Sequence, residues 1–347
     1  MDRAFVCALL SALTVTGCAP SSSTPAPTEA SAPTEASAPT EAPGSGERPA
    51  PPPSEASTEP AEASTEPAEP APDPATLGPG GRVPDACREI PREGTACIPG
   101  GWYVKGLPED THGCDQMGQP RDLRPMSQPE LRVWLSTFEM DRTEVTFAAY
   151  QECVEAGECP RARPLYRGFS SPDQPMTGVS WFDARAYCIW RGGDLPTEAQ
   201  FEAAARGPDG EWYPWGNDEG TCDLAILMND QGRSCGRPQP SDTPDRGVVW
   251  PVASLPAGRF GLYDIAGNAE EWVLDWWTPD YSECADTCGG VDPRGPCDGA
   301  EECPGRRYRT VRGGSWYWDG THAAGWHRRR HEPDNDPFHH FGFRCVY

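Results

Sequence analysis

Five histidines crowd the carboxy-terminal segment and are the side chains best suited to bind a transition metal. They are His322, His327, His331, His339 and His340, with Arg328, Arg329 and Arg330 among them. Imidazole nitrogens bind copper, iron or zinc. The spacing matches neither an HExxH motif nor a facial triad of two histidines and a carboxylate. Surface groups in a polar loop are therefore the simpler interpretation, and a metal site is the alternative.

Cysteine supplies a second kind of chemistry. The chain has fifteen cysteines, and thirteen are left when Cys7 and Cys18 are set aside. In an exported domain this number predicts disulfides, with one thiol to spare. Short spacings favour bridges of Cys153 with Cys159, of Cys222 with Cys235, and within the group Cys284, Cys288, Cys297 and Cys303. Zinc is the alternative for that group, although its spacing is not that of a zinc knuckle. The spare thiol is expected, unassigned, in the trio Cys87, Cys97 and Cys114.

Charge and missing motifs exclude several function classes. The net charge of -24 rules out a nucleic-acid binder that works through a basic patch, and it argues against direct attraction to anionic membranes. The sequence has no Gly-x-Ser-x-Gly elbow, phosphate loop or dinucleotide fingerprint. Hydrolases and nucleotide-binding enzymes of those types are therefore not expected.

Few regular secondary-structure elements are predicted to position the histidines and cysteines. Short strands and loops dominate from Ala96 onward, which predicts an irregular α+β single domain with little regular secondary structure, held by disulfides. Helices are predicted over Thr143 to Glu155, Trp181 to Trp190 and Thr197 to Arg206. Ser180 and Thr197 are expected to cap the last two.

A series of short phrases resembles the formylglycine-generating enzyme family, also called sulfatase-modifying factors. In chain order they are Ile98-Pro99-Gly100-Gly101, Phe138-Glu139-Met140-Asp141 with Glu144-Val145-Thr146, Val179-Ser180-Trp181-Phe182-Asp183-Ala184, Leu195-Pro196-Thr197-Glu198-Ala199-Gln200-Phe201-Glu202, Tyr213-Pro214-Trp215-Gly216, Gly261-Leu262-Tyr263-Asp264 through Glu271-Trp272, Val311-Arg312-Gly313-Gly314-Ser315-Trp316, and Gly342-Phe343-Arg344-Cys345. The resemblance spans roughly residues 95 to 347 and implies one compact domain, distantly similar to C-type-lectin-like folds. It also implies a disulfide between Cys188 and Cys345.

The resemblance implies an oxidase that converts a sulfatase cysteine to formylglycine with copper(I) held by two cysteines. The matching positions here are near Trp318 and Ala323, and no cysteine occurs between Cys303 and Cys345. Neither side chain offers the soft, anionic sulfur that copper(I) prefers. A tryptophan expected before Glu271 is replaced by Glu270, although Ser315 is kept. We therefore expect no copper and no inherited oxidase chemistry.

The resemblance also implies a structural calcium ion. Its ligands would be Asp264, the carbonyl groups of Gly267 and Ala269, and Glu271. Carboxylate and carbonyl oxygens suit this hard cation. A tight turn with solvated acids is the alternative.

Tryptophans around the lost catalytic positions suggest a binding cleft. Ser315, Trp316, Trp318 and Trp326 are the candidate lining residues, because aromatic rings can stack on sugars or grip peptides. Filling of the vacated space by these side chains is the alternative.

The amino-terminal part predicts export and anchoring. Residues 1–17 have the layout of a signal peptide, and Val15-Thr16-Gly17-Cys18 resembles a bacterial lipobox, which implies lipidation of Cys18. Residues 18–85 contain Pro, Glu, Ala, Ser and Thr repeats that cannot form a core and are expected to be a disordered tether. The folded domain is expected over residues 86–347. The predicted location is the bacterial cell envelope, with Ala19 favouring the outer membrane.

Together these features predict an envelope lipoprotein that presents a non-catalytic domain for binding or scaffolding. The expected partner is an unidentified envelope peptide, protein or glycan, with membrane contact only through the lipid anchor. The alternative is a metal-dependent oxidoreductase of the same fold, with histidine ligands, acting on a peptide cysteine or small thiol.

Overall fold

The computed structural model describes residues 78–347, apart from 90, 110–112, 115–119, 122–124, 163, 238–241, 244–245 and 335–337. The predicted signal peptide, Cys18 and most of the tether lie outside the described residues. Within the described part, no helix has the length and apolar character needed to cross a membrane.

Four short helices have bounds that follow from their capping residues. They are α1 (Phe147–Ala156), α2 (Trp181–Trp190), α3 (Glu198–Arg206) and α4 (Ala285–Cys288). Ser180 and Thr197 each form a capping box that begins α2 and α3, as the sequence predicted.

The first helix begins later than the sequence predicted. Its cap is Thr146, whose hydroxyl accepts a hydrogen bond from the Ala149 N–H, and not Thr143. Tertiary contacts explain the difference, because the backbone of Val145 bonds to Phe343 and to Met176 at 2.8 Å each. Val145 is thus fixed in an extended conformation, and the helix can begin only after it.

The strands are short and form four small sheets. They are β1 (Thr95–Ile98), β2 (Gly101–Lys105), β3 (Gly113–Cys114), β4 (Pro120–Arg121), β5 (Leu131–Leu135), β6 (Phe138–Asp141), β7 (Glu270–Trp276), β8 (Gly290–Val291), β9 (Arg309–Arg312), β10 (Arg328–His331) and β11 (Phe341–Gly342). The sheets have the orders β1-β6, β10-β9-β7-β11, β2-β5-β8 and β3-β4. β11 runs parallel to β7 and β8 runs parallel to β5, whereas the other pairs are antiparallel. The predicted irregular α+β architecture is confirmed.

Strand β7 lies at the centre of the domain. All seven of its residues are buried, and β9 and β11 flank it. Trp272 belongs to one apolar cluster with Trp181 of α2, and Val273 belongs to another with Phe201 of α3. Successive β7 side chains point to opposite faces, so the strand joins two cores.

Six disulfides link cysteines in the described part of the chain. They are Cys87–Cys97, Cys153–Cys159, Cys188–Cys345, Cys222–Cys235, Cys284–Cys288 and Cys297–Cys303. The group for which zinc was the alternative forms two local disulfides. Cys188–Cys345 is the pairing that the family resemblance implied. The side chain of Cys114 lies outside the described residues.

The last residues of the predicted tether contact the domain. A Cβ atom on Gly78 would lie 2.6 Å from the Trp134 ring, so only glycine can sit there without displacing that ring. The Thr137 hydroxyl donates a hydrogen bond to the Asp85 carbonyl group. Residues 78–85 are therefore held against β5 and the turn that follows it.

A buried set of charged side chains, which we call the α3 ion network, joins α3 to three strands. It consists of Lys105, Glu198, Glu202, Arg312 and Arg328, whose side chains are at most 1% exposed. Arg328 bonds to both Glu198 oxygens at 2.7 and 3.0 Å, and Arg312 bonds to Glu202 at 2.6 Å. Lys105 lies 3.8 Å from Glu198. Buried charges demand such partners, so the network fixes α3 against β2, β9 and β10.

Removal of Arg312 should destabilise the fold strongly. The variant Arg312→Met leaves Glu202 without one buried partner, and the expected loss is about 3–5 kcal/mol of unfolding free energy. Urea denaturation with the disulfides intact measures this loss. Arg307→Gln is the matched control, because Arg307 is 71% exposed and pairs with Glu332 at the surface. It should cost less than about 1 kcal/mol. Equal losses in the two variants would show that the network does not hold the fold.

Candidate functional site

A glycine turn after β9 creates the loop where the catalytic positions were expected. Gly313 and Gly314 have φ values of +92° and +68°, which L side chains rarely adopt. A Cβ atom on Gly314 would lie 2.6 Å from the carbonyl oxygen of His322 and 2.7 Å from the amide of Ala323. The backbone of residues 322–323 therefore packs directly against Gly314, and only glycine permits this close approach.

The two positions that match the family's copper ligands hold side chains with no sulfur. Ala323 is buried beside the glycine turn. Trp318 is half-buried, and its indole ring stacks on the His322 imidazole with centroids 4.7 Å apart and planes at 22°. The space near the glycine turn is thus occupied by packed rings.

The other predicted cleft residues lie inside the domain. Ser315 and Trp316 are fully buried, and Trp326 is 1% exposed. Trp316 packs against Phe169, and Trp326 meets the half-buried Trp212 edge to face at 5.7 Å. Of the four candidates, only Trp318 has appreciable exposure.

The carboxy-terminal histidines form two groups rather than one. His322 and His327 have ring centroids 4.8 Å apart, and the Nδ1 atom of His322 lies 2.9 Å from Asp319 Oδ1. The second group contains His331, His339 and His340; the last two are buried, with centroids 4.5 Å apart. Within the described ranges, no three His, Cys, Asp or Glu side chains are placed to hold a metal ion.

The predicted calcium residues lie around the turn that leads into β7. Both Glu271 oxygens accept hydrogen bonds from Arg344, at 2.7 to 3.0 Å. Asp264 Oδ2 accepts one from the Ala253 N–H at 2.7 Å. Glu144, which the sequence analysis did not select as a ligand, contributes a third carboxylate and accepts a hydrogen bond from the Ala269 N–H.

Burial raises the pKa of all three of these carboxyl groups, those of Glu144, Asp264 and Glu271. Burial, together with repulsion by Asp264 and Glu271, raises the pKa of Glu144 well above its usual value. Its Oε2 atom is buried and has no hydrogen-bond partner among the described residues. The Arg344 guanidinium lowers the pKa of each of the three acids and so partly opposes this effect. Carboxylate oxygens are the donors that a hard cation prefers.

Comparison with known proteins decides the family. Residues 81–347 match the sulfatase-modifying factor enzyme 1-like domain. The chain belongs to this family. It is 36% identical over 186 residues to a formylglycine-generating enzyme of Thermomonospora curvata, covering 50% of this chain and 56% of that protein. It is 33% identical over 182 residues to the inactive C-alpha-formylglycine-generating enzyme 2 of Mus musculus, covering 50% and 48%. The chain thus spans about half the length of these curated relatives.

A solved structure shares the sulfatase-modifying factor fold. PvdO from Pseudomonas aeruginosa superposes with a TM-score of 0.54 at 24% identity, covering 73% of this chain and 93% of that one. This likeness shows the fold alone.

One departure from the sulfatase-modifying factor pattern changes the surroundings of Trp318. Glu270 stands where the resemblance expects tryptophan, and both its oxygens bond to Arg329, at 2.8 and 2.6 Å. The Arg329 guanidinium carbon in turn lies 4.7 Å from the Trp318 ring centroid. Glu270 is evident in the sequence, whereas its partner was not predicted; the run Arg328-Arg329-Arg330 was the available clue.

Proposed function

We propose that this chain presents a non-catalytic sulfatase-modifying factor domain as a binding module of the bacterial cell envelope. The observation that carries the proposal is the replacement of the expected copper-binding thiolates by Trp318 and Ala323. Because Ala323 is buried and Trp318 stacks on His322, neither position offers a metal ligand. The half-exposed Trp318 instead offers an aromatic surface for a ligand.

The name of one relative supports the same proposal. The mouse protein of 33% identity is called inactive, so loss of activity is compatible with keeping this domain. The competing hypothesis is a metal-dependent oxidoreductase of the same fold with histidine ligands, and His322 and His327 are the candidates because their ring centroids lie 4.8 Å apart.

The chain should not convert cysteine to formylglycine. Incubation with copper, oxygen and a sulfatase-derived cysteine peptide should leave the peptide unchanged by mass spectrometry, because two soft thiolate ligands are missing. The Thermomonospora curvata relative is the positive control. Elemental analysis of the purified chain should find no stoichiometric copper, iron or zinc.

A stoichiometric transition metal would favour the competing hypothesis if it is lost in His322→Ala and His327→Ala. His331→Ala is the matched control, because His331 lies in the other histidine group. Peptide conversion by the unmodified chain would refute the non-catalytic proposal outright.

We also propose a structural calcium ion at the turn that leads into β7. Asp264, Glu271 and the carbonyl groups of Gly267 and Ala269 would hold it, with Glu144 adjoining. Its charge would offset the surplus of buried carboxylates and so stabilise the turn.

Calcium should raise the thermal unfolding temperature of chelator-treated protein. A ligand at a thousandfold its Kd adds about 4 kcal/mol, and each kcal/mol is worth about 2–4 °C in a domain of this size. The variant Asp264→Gly should abolish the rise, because glycine keeps the positive φ of 53° but removes the carboxylate. Asp298→Gly, an exposed acid with φ 54°, should keep it. A calcium response that survives in Asp264→Gly would place the ion elsewhere.

Export and anchoring at Cys18 remain part of the proposal, which the lipobox-like Val15-Thr16-Gly17-Cys18 supports. In a host that lipidates exported proteins, the full chain should fractionate with membranes, with an outer-membrane preference. Cys18→Ala should release it as soluble protein, whereas Cys7→Ala, inside the signal peptide, should not. Release in both variants or in neither would contradict lipidation at Cys18.

A further inference from the structure

A groove of about 570 Å³ lies beside α1, and we call it the α1 groove. One wall is α1 itself, and the other is the segment that follows the Cys153–Cys159 disulfide. The lining residues are Phe147, Gln151, Val154, Glu155, Arg161 and Ala162. The groove shares none of these residues with the candidate site or the proposed calcium site. Its volume is typical of sites that bind small ligands.

Local contacts hold the two walls of the α1 groove in place. The disulfide between Cys153 and Cys159 joins α1 to the segment after it, and both cysteines are buried. The Tyr150 hydroxyl donates a hydrogen bond to the Pro160 carbonyl group at 3.0 Å, and Tyr150 is fully buried as well. The groove is therefore formed before a ligand arrives, which limits the entropy lost on binding.

The floor of the α1 groove is apolar. Phe147 and Val154 lie seven positions apart on α1, so their side chains lie on the same face of the helix. These two side chains and that of Ala162 are half-buried and pack against the core cluster that contains Trp181. A ligand that covers them removes apolar surface from water, which favours binding.

The two walls carry opposite charges at the rim. Glu155 of α1 and Arg161 of the facing segment are both exposed. In the part of the chain that the structure describes, neither side chain forms an ion pair, with the other or with a third residue. The half-buried Gln151 adds an amide that can donate and accept hydrogen bonds. Both charges are thus open to a ligand.

These features require a ligand with two separated charges and an apolar part. Glu155 suits an ammonium group, and Arg161 suits a carboxylate, which a guanidinium can bind through two parallel hydrogen bonds. Because these two side chains are not in contact, the charges of the ligand must also lie apart. A free amino acid carries both charges on one carbon atom, whereas each peptide residue adds up to about 3.3–3.6 Å. A peptide of two or three apolar residues with free ends meets these requirements.

We propose that the α1 groove binds short apolar peptides with free amino and carboxyl ends. Arg161 binds the terminal carboxylate, and Glu155 binds the terminal ammonium group. Phe147 and Val154 contact the apolar side chains, and Gln151 bonds to a peptide group of the ligand. The groove is a second binding surface, and this inference does not depend on the candidate site described above.

Calorimetric titration of the full, disulfide-bonded chain tests the proposal with defined peptides. Trileucine with free ends should bind, and triglycine should bind at least about fivefold more weakly, because it buries less apolar surface. Acetylation of the amino end or amidation of the carboxyl end should each weaken trileucine binding about fivefold, since one charge pair is lost.

Substitution of each charged residue should affect only the peptide end that it contacts. Arg161→Gln should weaken binding of trileucine about fivefold but should not weaken binding of its amide, in which that contact is already missing. Glu155→Gln should behave in the same way towards the acetylated peptide. A variant that merely disturbed the groove would weaken binding of both forms alike and would contradict these two roles.

Two variants serve as matched controls. Glu152→Gln removes an exposed acid from α1, and Arg82→Gln removes an exposed arginine, and neither residue lines the groove. Both variants should bind trileucine as the unmodified chain does. Circular dichroism and the unfolding temperature check that each variant is folded.

The remaining outcomes overturn the proposal. Triglycine binding as tight as that of trileucine would exclude contact with the apolar floor. Equal binding of the free, acetylated and amidated peptides would show a groove that does not recognise peptide ends. Trileucine binding that is unchanged in both Arg161→Gln and Glu155→Gln would place the peptide elsewhere, and binding of no probe would refute a peptide site. The non-catalytic proposal fails separately, if the chain produces formylglycine.

Discussion

Burial of opposite charges between α3 and the central sheet is the constraint on which the rest of the domain depends. Glu198 and Glu202 lie one helical turn apart and face Arg328 and Arg312 on adjacent strands. Each charge would be very costly to bury alone, so the helix and both strands must assume one relative arrangement. The domain has little regular secondary structure, so sheet hydrogen bonds alone would not fix the position of α3 relative to β9 and β10. The buried ion pairs fix it.

The candidate site lies directly next to the α3 ion network in the chain. Arg312 ends β9, and the Gly313–Gly314 turn follows at once, so the network sets the starting point of the loop that carries Trp318. Arg328 begins β10, and the next residue, Arg329, reaches Glu270 and lies over Trp318. Trp318 belongs to a loop, but Arg329 of β10 and Glu270 of β7 hold its surroundings in place.

A second group of buried charges holds the carboxy-terminal segment. Arg344 bonds to Glu271 and to the carbonyl groups of Asp141, Arg142 and Tyr263, and the adjacent Cys345 is linked to Cys188 of α2. These contacts tie the carboxy-terminal segment to β6, to the turn before β7 and to α2. They also hold the acids of the proposed calcium site close together.

Local sequence determined much of this protein. The capping boxes of α2 and α3, the short-range disulfides and the family phrases each depend on residues that are close together in the sequence. Such features depend on spacing and residue type over a few positions, so they can be deduced without a fold.

Tertiary structure alone decided which side chains are buried and which charges pair. Trp316 and Trp318 are equally plausible cleft residues in the sequence, yet one is fully buried and the other half-exposed. Arg328 finds Glu198 across a separation of 130 residues, and Arg329 finds Glu270 across 59. Burial and charge pairing arise from the packing of distant segments, so local sequence patterns do not specify which residues become partners.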